Sequence, residues 1–455
     1  MIRTCFVSLT CYLCTCVAPL AAQEPKTTWR AGVAKVVITP DQPMWMSGYG
    51  SRNKPAEGKV HDLWAKALIL QDGAGRRCVL VTMDLVGIDR QLADDISADV
   101  GKRCGVARDA IMLSVSHTHC GPVVGRNLLS MYQLDDKQRQ LVETYTKDLH
   151  AKIVGLAGSA LEKMAPVEAS WATGSTTFAT NRRTNKEADV PKLREQGRLK
   201  GPVDHEVPVL VLREGDGKVK AIVFGYACHA TVMDFYLWSG DYPTFAQLAL
   251  EKRYPDATAL FFAGCGGDQN PLPRRKIALA ESYGNQLADA VDMVIKAPMT
   301  NISPSLKTSW TRIDVPFSEL PTRAKLDEDS RAKDRFIAGR ARQLLQEFDK
   351  QGGLKATYPY PVQAWQLGDD LTWIALGGEV VVDYSVRLKK ELGKVWVAGY
   401  TNDVMAYIPS ARVLKEGGYE GATSMIYYGQ PSTWGPRIEE LIVRAVHDQV
   451  GKVRR

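Results

Sequence analysis

The sequence lacks the compositional extremes of non-globular chains. Hydrophobic residues make up 45% and charged residues 24% of its 455 residues. These shares are ordinary for globular proteins and exclude a disordered, collagen-like or coiled-coil chain. Beyond the N-terminus no apolar run is long enough to span a bilayer. We therefore expect a soluble mature chain without a transmembrane helix.

The sequence also has little excess charge. Its 58 Lys and Arg residues stand against 51 Asp and Glu residues, and the basic residues are spread along the chain apart from short clusters such as residues 273–276. Nucleic-acid binding requires positive charge concentrated on one face. The sequence therefore predicts no nucleic-acid partner.

Cysteine is concentrated at the N-terminus. Four of the nine cysteines lie in an apolar stretch that follows Arg3 and ends in small residues before Gln23. This pattern is typical of a signal peptide, here over residues 1–22, and predicts export to the periplasm or the extracellular space. An uncleaved anchor is the alternative, although the stretch is shorter than the roughly 20 residues of a spanning helix. Five cysteines remain after the signal peptide, and this small, odd number excludes a disulfide-dense scaffold. They are Cys78, Cys104, Cys120, Cys228 and Cys265.

Short apolar runs alternate with longer amphipathic ones, which is typical of an α/β protein. Buried strands are predicted at residues 33–39, 63–70, 78–86 and 111–116, and hairpins at 207–213 with 220–227 and at 363–367 with 371–376. Helices are predicted at residues 90–102, 136–162, 244–252, 278–295, 323–349, 382–392 and 436–450. The helix at 323–349 is interpreted as a peripheral insertion. No long linker divides the chain, so we expect one large domain, residues 29–451, with mixed β-sheets flanked by helices.

Histidine is scarce, with seven residues in the chain, so its positions are informative. His117 and His119 directly follow a predicted strand. In an extended backbone, residues two apart project from the same face, so both imidazoles can meet one point at the strand's carboxyl end. Such a pair is a common metal-ligand arrangement, and a pair of hydrogen-bonded structural histidines is the alternative.

A third histidine, His229, follows another apolar strand. Adjacent strands bring their carboxyl ends to the same edge of a sheet, which favours a shared site over a core histidine with a structural role. Asp241 lies in a turn shortly after His229. Its carboxylate is a candidate to orient a ligand histidine, or it caps the helix that follows.

A glycine-rich turn with Gly267, Asp268 and Asn270 follows the apolar run at residues 261–263. Glycines let the backbone approach a ligand closely and can aim several N–H groups at an anion. The turn lacks the Gly-Lys-Ser/Thr of a nucleotide-binding loop. It is therefore a candidate substrate loop, with a tight strand-to-helix turn as the alternative.

A series of motifs runs in order along the chain: Ser47-Gly48-Tyr49-Gly50, His117-Thr118-His119-Cys120-Gly121-Pro122, Asn181-Arg182, the His229 segment, Gly267-Asp268-Gln269-Asn270-Pro271, Gly378-Glu379, Tyr407, Tyr419-Glu420-Gly421 and Tyr427-Tyr428-Gly429. Together the series resembles the catalytic domain of the neutral (non-lysosomal) ceramidases. The resemblance covers about Trp29 to Pro436.

Carried over residue by residue, the resemblance implies one Zn²⁺ ion per chain, bound by His117, His229, Glu379 and Tyr407 at the carboxyl ends of strands. Two imidazoles, a carboxylate and a phenol oxygen are a plausible ligand set for a catalytic zinc. Without the resemblance, Glu379 would be interpreted as a charge at the start of a helix and Tyr407 as a half-buried aromatic.

The resemblance also implies the reaction, hydrolysis of an N-acyl amide, ceramide or a related small molecule, by metal-activated water. His119, Arg182 and Tyr419 match residues around the scissile amide in that family. Zinc and Tyr419, with Arg182 or His119, would stabilise the tetrahedral oxyanion. His119 and Glu379 are both candidates to pass the proton to the leaving amine, and the sequence does not decide between them.

Two departures from the family bear on the substrate. Asn270 occupies the position of a serine that the ceramidases use in catalysis, and a carboxamide does not replace a hydroxyl. The residues after Pro436 leave room for one helix but not for the C-terminal β-sandwich that the family usually carries. A smaller or more soluble substrate is therefore the alternative, such as an N-acyl amino sugar, an N-acyl amino acid or an ester.

Two other functions remain open. A cysteine hydrolase would use Cys120 beside His119, although neighbours in a strand point to opposite faces. A metal-free binding protein that kept the fold is the second, and Asn270 supports it.

Overall fold

The computed structural model describes Ile2 and residues 28–455. The predicted signal peptide, residues 1–22, therefore lies outside the described residues except for Ile2. The strands are β1 (Trp29–Val37), β2 (Gly58–Lys59), β3 (Trp64–Gln71), β4 (Arg77–Met83), β5 (Ile111–Val115), β6 (Ala165–Ser175), β7 (Ala179–Asn181), β8 (Glu206–Arg213), β9 (Val219–Tyr226), β10 (Leu237–Trp238), β11 (Thr258–Ala263), β12 (Gln269–Pro271), β13 (Thr300–Asn301), β14 (Leu306–Pro316), β15 (Thr357–Leu367), β16 (Leu371–Leu376), β17 (Glu379–Val380), β18 (Val395–Ala398) and β19 (Tyr407–Ile408).

The helices are α1 (Arg90–Cys104), α2 (Asp136–Glu162), α3 (Val190–Glu195), α4 (Asp241–Arg253), α5 (Ile277–Lys296), α6 (Arg323–Asp329), α7 (Arg335–Gln351), α8 (Val382–Leu392), α9 (Ala411–Glu416), α10 (Gly418–Gly421) and α11 (Ile438–Arg454). Helices α2 and α8 have the predicted bounds, and both predicted hairpins form. Within residues 28–455, no helix combines the length and the apolar character needed to cross a bilayer.

The prediction of one helix over residues 323–349 is wrong. The segment forms two helices, α6 and α7, because the Asp334 side chain accepts hydrogen bonds from the N–H groups of Phe336 and Ile337 and so caps a new helix. The two helices pack on each other around Leu326 and Leu344.

The large sheet has the strand order β11-β9-β8-β6-β1-β3-β4-β5, with β13 paired to β6. It is mixed, since β4 with β5 and β9 with β11 are parallel and the other pairs are antiparallel. The sheet curls, so that β11 contacts β4 and β5 from the opposite end of the strand order. The Nζ atom of Lys66 in β3 donates to the carbonyl of Ala259 in β11 at 2.8 Å.

A smaller sheet, in the order β14-β15-β16-β18, packs against the large one. Strand β3 of the large sheet lies between two layers, and its alternate residues face opposite sides. Leu68 and Leu70 pack against the smaller sheet, whereas Ala67 and Ile69 pack against α2 and its neighbouring helices. Helices α8 and α11 cover the outer face of the smaller sheet. The result is a single large α/β domain of four layers with mixed sheets flanked by helices, as predicted.

Candidate metal centre

The predicted metal ligands follow two strands of the large sheet and begin the two strands of a separate, two-stranded sheet. His117 follows β5 and His229 follows β9, while Glu379 and Tyr407 begin β17 and β19. These two short strands pair in parallel with Glu379 opposite Tyr407. Strands β5 and β9 are not neighbours in the strand order, so the curl of the sheet, rather than adjacency, brings the histidines together.

Unusual backbone conformations cluster around these residues. The φ angle is +58° at His117, +52° at Tyr400 and +67° at Asn402, in the left-handed region that costs a non-glycine residue about 1–2 kcal/mol. The Nε2 atoms of His117 and His119 lie 3.2 Å apart. The two imidazoles therefore meet as predicted, but through a turn at His117 rather than along an extended strand.

Four side chains converge on one buried point. Oε2 of Glu379 lies 3.0 Å from Nε2 of His117 and 2.9 Å from Nε2 of His229. The Tyr407 hydroxyl lies 3.2 Å from Nε2 of His229. All four residues are buried. Nitrogen atoms of His117, His119 and His229 all lie within 4.8 Å of one another, so this group of histidines could hold a metal ion.

The hydrogen bonds of the two imidazoles show that this set fits a cation. Nδ1 of His117 lies 2.6 Å from the carbonyl of Val86, and Nδ1 of His229 lies 2.7 Å from that of Gly266. A neutral imidazole has one proton, and these bonds place it on Nδ1, so both Nε2 atoms present lone pairs. Oε2 of Glu379 is buried and receives no hydrogen bond from the described residues. A positive charge between these lone pairs would satisfy all three atoms.

His119 borders the same point from a partly exposed position. Burial of its ring nitrogens and the neighbouring His117 and His229 lower the pKa of His119 well below its usual value. Burial, followed by the Arg182 charge, lowers the pKa of His229 to about 4. Both imidazoles are therefore neutral at pH 7. Gly48, with φ of +101°, lies against the His119 ring, and a Cβ there would come within 2.4 Å of Cγ.

Arg182 connects Tyr407, a predicted metal ligand, to the other predicted residues. Its Nε donates to Glu420 at 2.7 Å, and its two terminal nitrogens donate to the Asn270 carboxamide oxygen at 3.2 Å and to the Tyr407 hydroxyl at 3.0 Å. Burial opposes ionisation, but Tyr407 and Glu420 raise the pKa of Arg182 above its usual value. The Tyr419 ring packs edge-on against Tyr407, with centroids 5.3 Å apart, and is 42% exposed.

A family comparison identifies the family of the chain. Residues 29–314 match the model of the neutral/alkaline non-lysosomal ceramidase N-terminal domain. The chain belongs to this family. None of the curated proteins compared with the sequence matches it.

Solved ceramidase structures share the fold. A crystal structure of neutral ceramidase from Pseudomonas aeruginosa is similar with a TM-score of 0.72 and 19% identity, over 94% of this chain and 75% of that one. A ceramidase structure in complex with C2 gives a TM-score of 0.73 with the same identity and coverage. A match over 94% of the chain extends beyond residue 314, where the match to the family model ends.

The glycine-rich turn of this ceramidase-family chain lies against Glu379, one of the predicted metal ligands. A Cβ on Gly267 would come within 2.6 Å of the Glu379 carbonyl, so only glycine allows this approach. Asp268 is fully buried and accepts hydrogen bonds from the Val382 N–H at the start of α8 and from the Asn181 side chain. Its role here is to join three segments. The turn contacts Arg182 twice, since the Asp268 carbonyl accepts from the Arg182 backbone N–H at 2.9 Å and the Asn270 side chain accepts from the guanidinium.

Asp241 does not orient either histidine. Its carboxylate accepts the N–H groups of Met233 at 2.8 Å and Tyr242 at 2.7 Å, and burial raises its pKa to about 6. The backbone carbonyls of Val86 and Gly266 bond the imidazoles instead. Asp241 therefore holds the turn before α4, which corrects the expectation from sequence.

Sequence reasoning did not assign roles to Tyr428 and Glu420. The Tyr428 hydroxyl donates a short hydrogen bond to Oε1 of Glu379. Glu420 accepts from both Arg182 and Arg183. Both residues lie in motifs that carry the family resemblance, but a motif does not show which side chain faces the site.

Cys120 is unsuited to nucleophilic catalysis. Its thiol is fully buried and donates to the Met233 carbonyl at 3.6 Å. Burial raises the pKa of this thiol to about 12, so almost none is thiolate at neutral pH. The arrangement disfavours the cysteine hydrolase alternative.

Proposed function

We propose that this protein is a zinc-dependent amidohydrolase that cleaves the N-acyl amide bond of a small-molecule substrate. The observation that carries the proposal is the convergence of two Nε2 lone pairs, from His117 and His229, on one oxygen of Glu379 beside the Tyr407 hydroxyl. These four residues would hold the ion. A bound zinc ion supplies a Lewis acid and lowers the pKa of water towards about 7.

The residues around this point can stabilise negative charge on the substrate. Arg182 is held from three sides, by Glu420, Asn270 and Tyr407, so its guanidinium is preorganised next to the site. The Tyr419 hydroxyl is a second donor on the exposed side. Fixed donors aimed at the developing oxyanion contribute most of the rate enhancement in acyl transfer.

His119 is the better candidate for proton transfer to the leaving amine. Neither oxygen of Glu379 is free for this role, because Oε1 accepts from Tyr428 and Oε2 faces the point where the metal ion would lie, between Nε2 of His117 and Nε2 of His229. His119 is neutral, partly exposed and within 3.2 Å of His117. Its ring can accept a proton from the nucleophilic water and release it to the amine nitrogen.

Aromatic rings at the mouth of the site support an acyl substrate. Tyr49 packs on His119 at 4.7 Å, and Tyr427 lies between Tyr419 at 6.1 Å and Phe336 of α7 at 5.0 Å. These rings are partly exposed, and aromatic walls are typical of sites that hold apolar groups. The proposed setting is the periplasm or the extracellular space, after export by the N-terminal signal peptide.

Amine release from C2-ceramide, N-acetyl sugars and N-acyl amino acids, with and without a chelator, tests the proposal. The His117→Ala and His229→Ala variants should lose metal and turnover together. His447→Ala, at an exposed position on α11 paired with Glu391, is the matched control and should keep both. Chelator-resistant hydrolysis by the wild type, or full turnover by a variant without metal, would contradict the proposal.

A further inference from the structure

A polar cavity of about 560 Å³ adjoins the candidate metal centre. Arg182, Asn270 and Tyr419 form part of its wall. Arg182 also donates to the Tyr407 hydroxyl, so one guanidinium faces both the cavity and the metal ligands. A group of the substrate that lies in this cavity is therefore close to the proposed point of hydrolysis.

The wall of the cavity is charged rather than apolar. Four cationic side chains line it, those of Arg182, Arg183, Lys186 and Arg274, against two carboxylates, Glu187 and Glu420. The only aliphatic side chain in the wall is Leu272. A long acyl chain would bury these charges without replacing their hydration, which is strongly unfavourable.

The cationic excess is only partly neutralised. Glu187 pairs with Arg274, and Glu420 pairs with both Arg182 and Arg183. Arg183 also forms an ion pair with Glu416, which lies outside the cavity. Lys186 has no ion pair among the described residues. A net positive charge therefore remains at the cavity.

Behind this wall, the Arg194 guanidinium donates to the carbonyls of Leu272 and Phe178 and to the Thr180 hydroxyl. These neutral acceptors leave its positive charge uncompensated, which adds to the field at the cavity.

Asn270 adds a neutral donor to this cationic wall. Its carboxamide oxygen accepts from Arg182, which leaves the amide nitrogen available as a donor on the cavity side. A serine in this position offers a single rotatable hydroxyl instead. Guanidinium, ammonium and carboxamide donors together match the oxygen atoms of a carboxylate.

We propose that this cavity binds a carboxylate group of the substrate, so that the protein prefers anionic N-acyl compounds to uncharged ones such as ceramide. This inference rests on the proposed amidohydrolase function. The carboxylate can belong to the amine half, as in an N-acyl amino acid, or to the acyl half, as in an N-succinyl amine. The shared chemistry is one anionic group near the scissile amide.

Two pairs of substrates, each an anionic compound and a neutral analogue with the same carbon skeleton, test the inference and distinguish the halves. N-dodecanoylglycine is compared with N-dodecanoylethanolamine, and N-succinylbenzylamine with N-butanoylbenzylamine. We expect at least one anionic member to have a kcat/KM tenfold or more above that of its neutral partner. Equal kcat/KM values within both pairs would overturn the inference while leaving the amidohydrolase function intact.

Lys186→Gln tests the cavity itself, because Lys186 is exposed and its replacement does not threaten folding. Loss of one charge about 5 Å from a carboxylate should lower kcat/KM for the preferred anionic substrate threefold to fivefold. Lys186→Glu should lower it by about tenfold or more, and the neutral partner should change less than twofold. Lys102→Gln, an equal charge change on α1, is the control and should have no effect.

Binding to metal-free protein provides a measurement that does not depend on turnover. Titration calorimetry of chelator-treated protein should show tighter binding of the anionic member, weakened by Lys186→Glu and by 0.5 M NaCl. Identical affinities for both members, unaffected by either change, would refute the cavity assignment. Failure of every substrate to be hydrolysed, with the binding preference intact, would refute the proposed function instead.

Discussion

Replacing Tyr428 with phenylalanine removes one oxygen atom, the hydroxyl that donates to Oε1 of Glu379. The ring stays, so its packing 6.4 Å from the Tyr407 ring is kept. A hydrogen bond to a charged group contributes about 1.5–3 kcal/mol. Loss of a partner that orients a metal ligand lowers metal affinity by about 10–100-fold, equivalent to about 1.4–2.8 kcal/mol. The two ranges agree, so we expect Tyr428→Phe to weaken zinc binding by about 10–100-fold.

Competition for zinc with a chromophoric chelator at pH 7.5 measures this change. Tyr145→Phe is the matched control, because the Tyr145 hydroxyl is also buried and donates at 2.7 Å, but to the Ile38 carbonyl. Both variants should lower the thermal stability of the metal-free protein, and only Tyr428→Phe should lower zinc affinity. A folded Tyr428→Phe protein with wild-type zinc affinity would refute the positioning of Glu379 by Tyr428.

Three further predictions concern charge and burial. Glu420→Gln should lower the free energy of unfolding by about 3 kcal/mol at pH 7. Although burial opposes ionisation, Arg182 holds the pKa of Glu420 below its usual value, so this loss should shrink as the pH falls through that lower pKa, and a loss that does not change with pH would contradict it. Cys120 should resist alkylation by iodoacetamide at pH 8 with hydrolysis unchanged, since its thiol is buried with a pKa of about 12, whereas inactivation in step with Cys120 labelling would favour a cysteine hydrolase. Burial raises the pKa of Asp403 to about 7, so the native state retains a proton that the unfolded chain loses near pH 4. The free energy of unfolding of the wild type should therefore fall between pH 4 and 7 by up to about 4 kcal/mol relative to that of Asp403→Asn. Parallel pH profiles of the two proteins would refute this.

The sheets and helices were largely predictable because their residues carry local signals. Runs such as residues 63–70 are apolar on both faces, and the structure explains this by placing helices on one side and the smaller sheet on the other. The break between α6 and α7 was not predicted, because Asp334 lies in a charged helical pattern where a helix-capping Asp cannot be distinguished from a surface Asp. The curl of the large sheet depends on contacts between β11 and β5, far apart in sequence, which no local pattern encodes.

The candidate site was only partly predictable from residue pattern. His117, His119 and His229 stood out because histidine is scarce and each follows an apolar run. Glu379 and Tyr407 carry no local signal, since their significance lies in a pairing with histidines more than 140 residues away. The family resemblance supplied them, and their roles as ligands stay predictions. The role predicted for Asp241 was wrong because it relied on closeness to His229 in the sequence. In the fold the Asp241 carboxylate accepts hydrogen bonds from backbone N–H groups instead.

The central claim is that one metal ion at His117, His229, Glu379 and Tyr407 is required for amide hydrolysis. Amine release by metal-stripped protein, followed as zinc is added back, tests it most directly. We expect no release without metal, and a linear rise in rate that reaches its plateau at one zinc per chain. Full hydrolysis by the stripped protein, or a rate that does not respond to zinc, would contradict it.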